Sequence, residues 1–312
     1  MNMNEPTQFM KEELRGEMRY DAPMSRHTSW RAGGTAQRMY RPADLADLQQ
    51  FLQQVPMDEP LFAIGLGSNV LVRDGGIKGT VLLMHGALSE LRMDVDTIYS
   101  QAGIPGAKLA RFAATNNLCG AEFFVGIPGT LGGMLAMNAG CYGSETWQKV
   151  ERVQVLTRRG EMLERQPNEY EIGYRHVVKR GQHNSNQQEE FFVGAWLKLE
   201  SGDVDAARNE IKALMDKRSA SQPLQLPNAG SVFRNPPGDH AAKLIEACGL
   251  KGKRIGGAQV SEKHANFIVN TGDATAADIE SLIKEVRATV LQQTGIDLHP
   301  EVKIIGEYAN HE

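Results

Sequence analysis

Long runs of basic residues are missing from this 312-residue chain, whose formal net charge is −4. Without them there is no electrostatic footprint for a nucleic-acid backbone or an anionic lipid surface. Cysteine is scarce as well: Cys119, Cys141 and Cys248 show neither C-x-x-C pairing nor metal-ligand spacing. That excludes a disulfide framework, implies no metal, points to a reducing compartment and leaves the three as small core residues. The N-terminal stretch MNMNEPTQFMKEELRGEM carries acidic residues and no apolar h-region, so no signal peptide is expected and the chain is placed in the cytoplasm. G-x-S-x-G, H-E-x-x-H and G-x-x-x-x-G-K-[ST] are all absent, which removes the usual signals of a serine hydrolase, a zincin and a P-loop kinase. The eight histidines are scattered singly. His264, in EKHANFIVN, is the most enclosed by apolar sequence and reads as a hydrogen-bonded structural residue.

Long hydrophobic runs are lacking too. The longest uncharged stretch, 123–144, has 22 residues, but six are glycine and Pro128 and Asn138 interrupt it. A membrane helix needs about 20 predominantly apolar residues, and this composition breaks the helix that crossing requires. A glycine-dense apolar segment suits close approach of backbone to something large and flat. The run GIPGTLGGMLAMNAGCYG, 126–143, therefore asks for a ligand.

A chain of this length is expected to form two or three domains with a cleft between them. From about residue 60 to 84, LFAI, GLGSN, VLV, RDGGIKG and TVLLM read as strand, turn, strand. GLGSNV lacks the third glycine of G-x-G-x-x-G and no helix follows it, so it is not a dinucleotide fingerprint. What remains is a nest of backbone N–H groups around Gly65, Gly67, Ser68 and Asn69, suited to anionic oxygens, or else an ordinary tight turn. IPGAKLARFAATNNLCG reads as a short amphipathic helix through Leu109, Phe112 and Ala113 with Gly120 as its C-cap signal. VERVQVLTRRGEMLE alternates like a half-buried hairpin, and FFVGAWLKLE is a further strand after a Gln/Asn-rich solvated loop near 182–188. These elements make an α+β body over 25–202, in two lobes split near 87, behind a loosely ordered tail, 1–24.

The composition then changes, and 203–312 reads as a smaller α/β domain. VDAARNEIKALMDKR is helical, and AAKLIEACG is a short helix closed by Gly249. AADIESLIKEVRATVLQQTG carries Ile279, Leu282, Ile283, Val286, Val290 and Leu291 on one face and stops at Gly295.

Three polar motifs mix donors with glycine or proline. NAGSVFRNP, 228–236, places Ser231 in a glycine-preceded turn with Asn235 beyond it; GYRH, 173–176, presents Arg175 after Tyr174; HPEVK fixes the backbone before Glu301 with Pro300. Each alone reads more readily as structure or surface than as chemistry. Taken in order, GLGSNVLVRDGGIKG, GIPGTLGGMLAMNAGCYG, GYR, NAGSVFRNP, EKHANFIVN and HPEVK resemble the MurB family of UDP-N-acetylenolpyruvoylglucosamine reductases, over nearly the whole chain.

The resemblance implies a vanillyl-alcohol-oxidase-like (PCMH-type) FAD-binding fold with a smaller C-terminal α/β substrate-binding domain. It implies non-covalently bound FAD, held by Gly65, Gly67, Ser68 and Asn69 around the pyrophosphate. Gly126, Ile127, Pro128, Gly129, Thr130, Gly132, Gly133, Asn138 and Gly140 lie against the rest of the cofactor. In the family reaction NADPH reduces the flavin and leaves; UDP-N-acetylglucosamine enolpyruvate then takes its place and is reduced to UDP-N-acetylmuramate for peptidoglycan synthesis, and so for cell shape and division. By motif match Arg175 stabilises the enolate, Ser231 donates the proton, Glu301 is a further acid or hydrogen-bonding partner, and Tyr174 and Asn235 bind substrate. A monomer is expected, of the subgroup without an extra tyrosine loop, since none can be placed between GYRH and FFVGAWLKLE. The same FAD loops also suit another FAD oxidoreductase acting on a small hydroxy acid or alcohol, but Ser231, Asn235 and Glu301 favour the reductase. A non-catalytic nucleotide-binding protein has no need of a proton donor and an enolate-stabilising arginine together.

Overall fold

A computed structural model describes residues 13–181 and 190–309; the Gln/Asn-rich loop of the sequence reading lies outside them. The first sheet sets strands Glu17–Pro23, Thr35–Arg41, Ile77–Leu83 and Leu61–Ile64 side by side in that order. The first pair is antiparallel and the other two are parallel. A parallel return needs a crossover, and helix α1, Leu45–Gln54, lies between Thr35–Arg41 and Leu61–Ile64, its N-cap Asp44 accepting from Asp47 N. Two expectations change here. Glu17–Pro23 is a strand, not tail: its EMRYDAP sequence is mostly exposed and carries no alternation, and the main-chain ladder to Thr35–Arg41 holds it. LFAI and TVLLM are parallel neighbours, not the arms of a turn, while Val70–Val72 leaves their sheet and pairs in parallel with Lys303–Ile305.

The second sheet is antiparallel, in the order Met162–Arg165, Val150–Thr157, Glu190–Lys198, Thr97–Gln101 and Leu91–Asp94. Helix α2, Gly106–Thr115, buries Leu109 and Ala113 against its core. The helix ends at Asn116, and Asn117 takes the left-handed turn (φ +56°), three residues before the expected Gly120; asparagine tolerates that conformation better than most side chains. The glycine segment holds a helix after all, α3, Leu131–Ala136. It survives its two glycines because Leu131, Met134 and Leu135 are buried, and because Leu131 N and Gly132 N donate to Ile104 O and Ala102 O, both at 2.9 Å. Helix α4, Val204–Ser221, was expected to open the C-terminal domain, but its buried Ala207 and Ile211 join the same core as Leu109 and Phe124. It packs on the first domain.

The C-terminal unit combines α5, Ala241–Ala247, and α6, Ala276–Thr294, with a three-stranded antiparallel sheet. Gly249 and Gly295 take the left-handed conformation that the sequence signalled (φ +69° and +74°). Of the expected stripe on α6 only Leu291 is out of the core, 45% exposed. Two residues just past Val70–Val72 fasten this unit to the first domain. Asp74 accepts from the N–H groups of Ala276 (3.0 Å) and Ala277 (2.8 Å) at the start of α6, where a carboxylate also meets the positive end of the helix. Arg73 Nε lies 2.9 Å from the Glu280 carboxylate, and its guanidinium holds that carboxyl down at about pKa 2.

Candidate active site

A cleft of about 1030 Å³, open solvent at its mouth included, runs between the two glycine-rich loops and the C-terminal unit. On one wall are Gly65, Gly67, Ser68 and Asn69; on another Gly126, Ile127, Pro128, Gly129, Thr130, Gly133 and Gly140; across from them Arg175, Ser231 and Glu301. The loops can meet because Gly65 has no side chain, since a Cβ there would collide with Thr130. Gly67 has φ +61°, and the N–H groups of Gly67, Ser68 and Asn69 donate to no acceptor among the described residues. These are three of the four residues around which a nest is expected. Asn69 also ties it to the far wall: its Nδ2 donates to Glu301 O (3.2 Å), and its carbonyl accepts from Lys303 N (3.0 Å).

Arg175 sits in the two-residue turn of the hairpin formed by Tyr170–Gly173 and His176–Lys179, in a left-handed conformation (φ +53°). Such strain in a non-glycine residue costs about 1–3 kcal/mol and persists only where its surroundings impose it. Here they do: Nε donates to Glu301 Oε1 (2.8 Å), Nη1 to Asn138 O (3.3 Å) and Nη2 to Gly140 O (3.0 Å). A guanidinium has five N–H donors, so one on each terminal nitrogen is left for the cleft. Burial pushes the Glu301 carboxyl above its ordinary pKa, with Arg175 and, less strongly, Arg234 holding it back.

Ser231 is brought beside Glu301 by main-chain pairing. Glu301 N donates to Val232 O (2.7 Å), Arg234 N to His299 O (2.9 Å), and Phe233 bridges Pro300. The same segment is gripped from behind by Asn266, buried, which accepts from Phe233 N (3.0 Å) and donates to Phe233 O (2.8 Å). The Ser231 hydroxyl is half-buried, lines the cleft and has no hydrogen-bond partner among the described residues.

Four of the expected site residues lie outside the cleft lining. Gly132 packs against Ala102, whose Cβ a side chain would meet at 3.0 Å. Asn138 is fully buried behind the wall. Tyr174 is 47% exposed, and its hydroxyl accepts from Asn235 N at 3.4 Å; the Asn235 side chain accepts from Ala241 N (3.1 Å) at the start of α5. Sequence reasoning missed others. Gln222 lines the cleft outside every motif, Met137 and Phe267 line it as residues not singled out within theirs, and in EKHANFIVN the residue that serves the site is Asn266, while His264 accepts from its backbone N–H (3.3 Å). The cysteines are half-buried, Cys141 and Cys248 packing against the edges of two core clusters. Cys141 lines the cleft with its thiol pushed up to about 11 by burial, so it stays protonated near neutral pH.

The cleft fits a dinucleotide. The N–H groups of Gly67, Ser68 and Asn69 suit a pyrophosphate, and Gly133 faces open space: beyond the backbone of its own helix, a Cβ added there would meet no atom within 4 Å. Protein packing therefore does not require that glycine, and its face is left open to the cleft.

Comparison with known proteins agrees. Residues 36–165 match the model of an FAD binding domain, and residues 222–305 that of the UDP-N-acetylenolpyruvoylglucosamine reductase C-terminal domain. The reductase of that name from Thiobacillus denitrificans is 56% identical over 308 residues, covering 94% of each chain. The chain belongs to the UDP-N-acetylenolpyruvoylglucosamine reductase family. The family's reductase from Legionella pneumophila (strain Corby) is 52% identical, covering 95% of this chain and 94% of the relative. The crystal structure of the MurB reductase from Thermus caldophilus superposes with a TM-score of 0.76 at 29% identity, covering 93% of this chain and 98% of that one. The chain thus carries an FAD-binding domain followed by the reductase C-terminal domain.

In a family member, Gly133→Ala separates fold from cofactor. Alanine in a helix gains about 0.5–1 kcal/mol over glycine, so the FAD-free protein should melt slightly higher. Overfilling a packed site costs about 1–3 kcal/mol, so FAD affinity should fall about tenfold or more, as read by flavin fluorescence. Unchanged affinity would remove Gly133 from the cofactor wall.

Proposed function

We propose that the chain is a UDP-N-acetylenolpyruvoylglucosamine reductase: an FAD-dependent, NADPH-consuming enzyme that reduces UDP-N-acetylglucosamine enolpyruvate to UDP-N-acetylmuramate. It would act in the cytoplasm in peptidoglycan synthesis, and through that in cell shape and division. Among the described residues no helix is long and apolar enough to cross a membrane. The observation that carries the reading is the convergence, in one cleft, of the N–H nest, the Arg175–Glu301 pair and the unpartnered Ser231 hydroxyl. Relatives give no support to an oxidase of small hydroxy acids or alcohols.

The loop Gly65, Gly67, Ser68 and Asn69 would hold the pyrophosphate of FAD, with 126–130 and Gly133 against its flat portion. Bound there, FAD supplies the hydride chemistry, accepting from NADPH and delivering to the enolpyruvyl double bond. The protein's task is the charge that develops beside the substrate carboxylate. The two free N–H donors of Arg175 would stabilise it, since preorganised donors act where charge appears in the transition state. The Ser231 hydroxyl would deliver the proton to the carbanionic carbon. A serine hydroxyl is a feeble acid in water, and the role suits only a strongly basic carbanion held against it. Glu301 would orient Arg175 through the bond to its Nε and, in its protonated form, serve as a second acid. Tyr174 and Asn235 would meet the substrate beyond the cleft wall, and a monomer suffices.

The test is the visible spectrum of the purified protein under anaerobic conditions. A flavin spectrum should bleach with NADPH and recover on adding UDP-N-acetylglucosamine enolpyruvate. Flavin that stays reduced with that substrate would sink the reading.

A further inference from the structure

Asn138, expected on family grounds to hold the cofactor, has no side-chain atom free to do so. It is 1% exposed and left-handed (φ +44°). Its Nδ2 donates to Glu145 Oε2 (2.8 Å) and to Gly173 O (3.1 Å), and its Oδ1 accepts from Trp147 N (3.1 Å). Both N–H donors of the amide are therefore used, and the residue does not line the cleft. These contacts reach the two ends of one functional group. Gly173 is the last residue of the strand before the turn that carries Arg175, and the Asn138 carbonyl accepts from Arg175 Nη1. Two residues on, the Gly140 carbonyl accepts from Nη2.

We propose that Asn138 is the positioning residue of Arg175, clamping the base of its hairpin through the side chain and the head of its guanidinium through the backbone, with Glu145 as the anchor behind it. The proposal rests on the reductase reading, in which Arg175 faces the developing enolate. Glu145 is fixed in turn: its carboxylate also accepts from the backbone at Gln148 in a capping box. Asparagine is suited to the position twice over, because it tolerates the left-handed backbone and its amide presents a donor pair and an acceptor at one site.

A cofactor ligand, a purely structural residue and a positioning residue separate under substitution. Asn138→Gly keeps the backbone conformation and adds no charge. Misplacing a reacting group by about 1 Å costs about 10²-fold, so reoxidation by the enolpyruvyl substrate should slow by about 10- to 100-fold. Reduction by NADPH and FAD affinity should stay within about twofold of the parent, and KM should change far less than kcat.

A second readout is independent of turnover. The groups acting on Glu301 are Arg175 from the hairpin turn and Arg234 from the segment paired with it, both lowering its pKa. If Arg175 withdraws, Glu301 should titrate at higher pH, seen by carbon-13 NMR of its carboxyl. Should Asn138→Gly fail to fold, Asn138→Asp serves: it retains the acceptor for Trp147 and sets two carboxylates together. The double variant Asn138→Asp/Glu145→Gln restores the net charge and the 138–145 contact with donor and acceptor exchanged, but an Asp carboxylate cannot donate to Gly173 O, so it should recover the melting temperature and not the lost rate; full recovery of the rate would overturn the clamp at the hairpin base. Weakened FAD binding, or NADPH reduction slowed as much as reoxidation, would return Asn138 to the cofactor. Unchanged reoxidation with an unmoved Glu301 titration would overturn the proposal. A parent protein that the enolpyruvyl substrate fails to reoxidise removes the reductase reading instead, and the Glu301 titration then still decides whether Asn138 holds Arg175.

Discussion

Replacing Ser231 by alanine is expected to leave FAD bound and reducible by NADPH while slowing reoxidation by UDP-N-acetylglucosamine enolpyruvate about 10²- to 10⁴-fold, the range for a lost general acid. The effect should be confined to that half-reaction. The hydroxyl faces the cleft without a hydrogen-bond partner among the described residues, so its removal orphans no protein group. The backbone around it is held by Asn266, Pro300 and Glu301 through hydrogen bonds and a bridge in which the Ser231 hydroxyl takes no part. Stability should therefore move by no more than about 0.5 kcal/mol, as for a substitution away from buried networks. Stopped-flow absorbance of the flavin band, followed first with NADPH and then with substrate, reads both halves on one sample. Normal turnover in the variant would take the proton-donor role away from Ser231, and a variant that no longer holds FAD would show that the residue belongs to the cofactor wall.

What could be read from the sequence follows from how local the cause was. Gly249 and Gly295 announce helix ends because a left-handed residue is a property of one position. The two glycine loops were readable as the walls of a cleft for the same reason: absence of a Cβ is visible in the sequence and its consequence is steric. Glu17–Pro23 was not readable, because an exposed edge strand is held by main-chain hydrogen bonds that leave no alternation of side chains. Nor was the true partner of Val70–Val72, which lies some 230 residues away in Lys303–Ile305. That pairing matters to the site, since it lays Glu301 alongside Asn69 and the N–H nest. The motif NAGSVFRNP pointed to Ser231, but the clamp that fixes it, Asn266, sits in a motif where His264 drew attention by chemistry alone. Asn138 shows the limit most clearly. Its place in a glycine segment suggested the ligand, whereas burial and three hydrogen bonds turn its side chain toward Glu145, Gly173 and Trp147.

Arg175→Met should abolish most turnover and, separately, make the protein's stability fall more steeply as pH rises. Loss of one preorganised donor group at a developing oxyanion costs about 10²- to 10³-fold in kcat, and NADPH reduction of the flavin should survive. The stability effect comes from Glu301, since the two side chains are only 15% and 11% exposed and form an ion pair at 2.8 Å. Breaking a buried pair by removing one partner costs about 3–5 kcal/mol, and the residual exposure places this one at the lower end. The sign follows from the direction of the shift. Burial already raises the Glu301 pKa above its ordinary 4.5, with Arg175 the larger of two guanidiniums opposing the rise. Without Arg175 it rises further. Below pH 4.5 the carboxyl is protonated in folded and unfolded chains alike, and the variant bears no penalty from it. As pH climbs, the unfolded chain releases the proton first, so stability falls until the folded carboxyl has ionised too. Thermal melts of Arg175→Met should therefore approach those of the parent near pH 4 and drop away toward pH 8. Arg175→Met/Glu301→Gln should recover the melting temperature at pH 8 without recovering turnover. If the single variant loses stability equally at pH 4 and pH 8, the cost lies in lost packing at the hairpin turn, and Glu301 is not held by Arg175 in the way the geometry indicates.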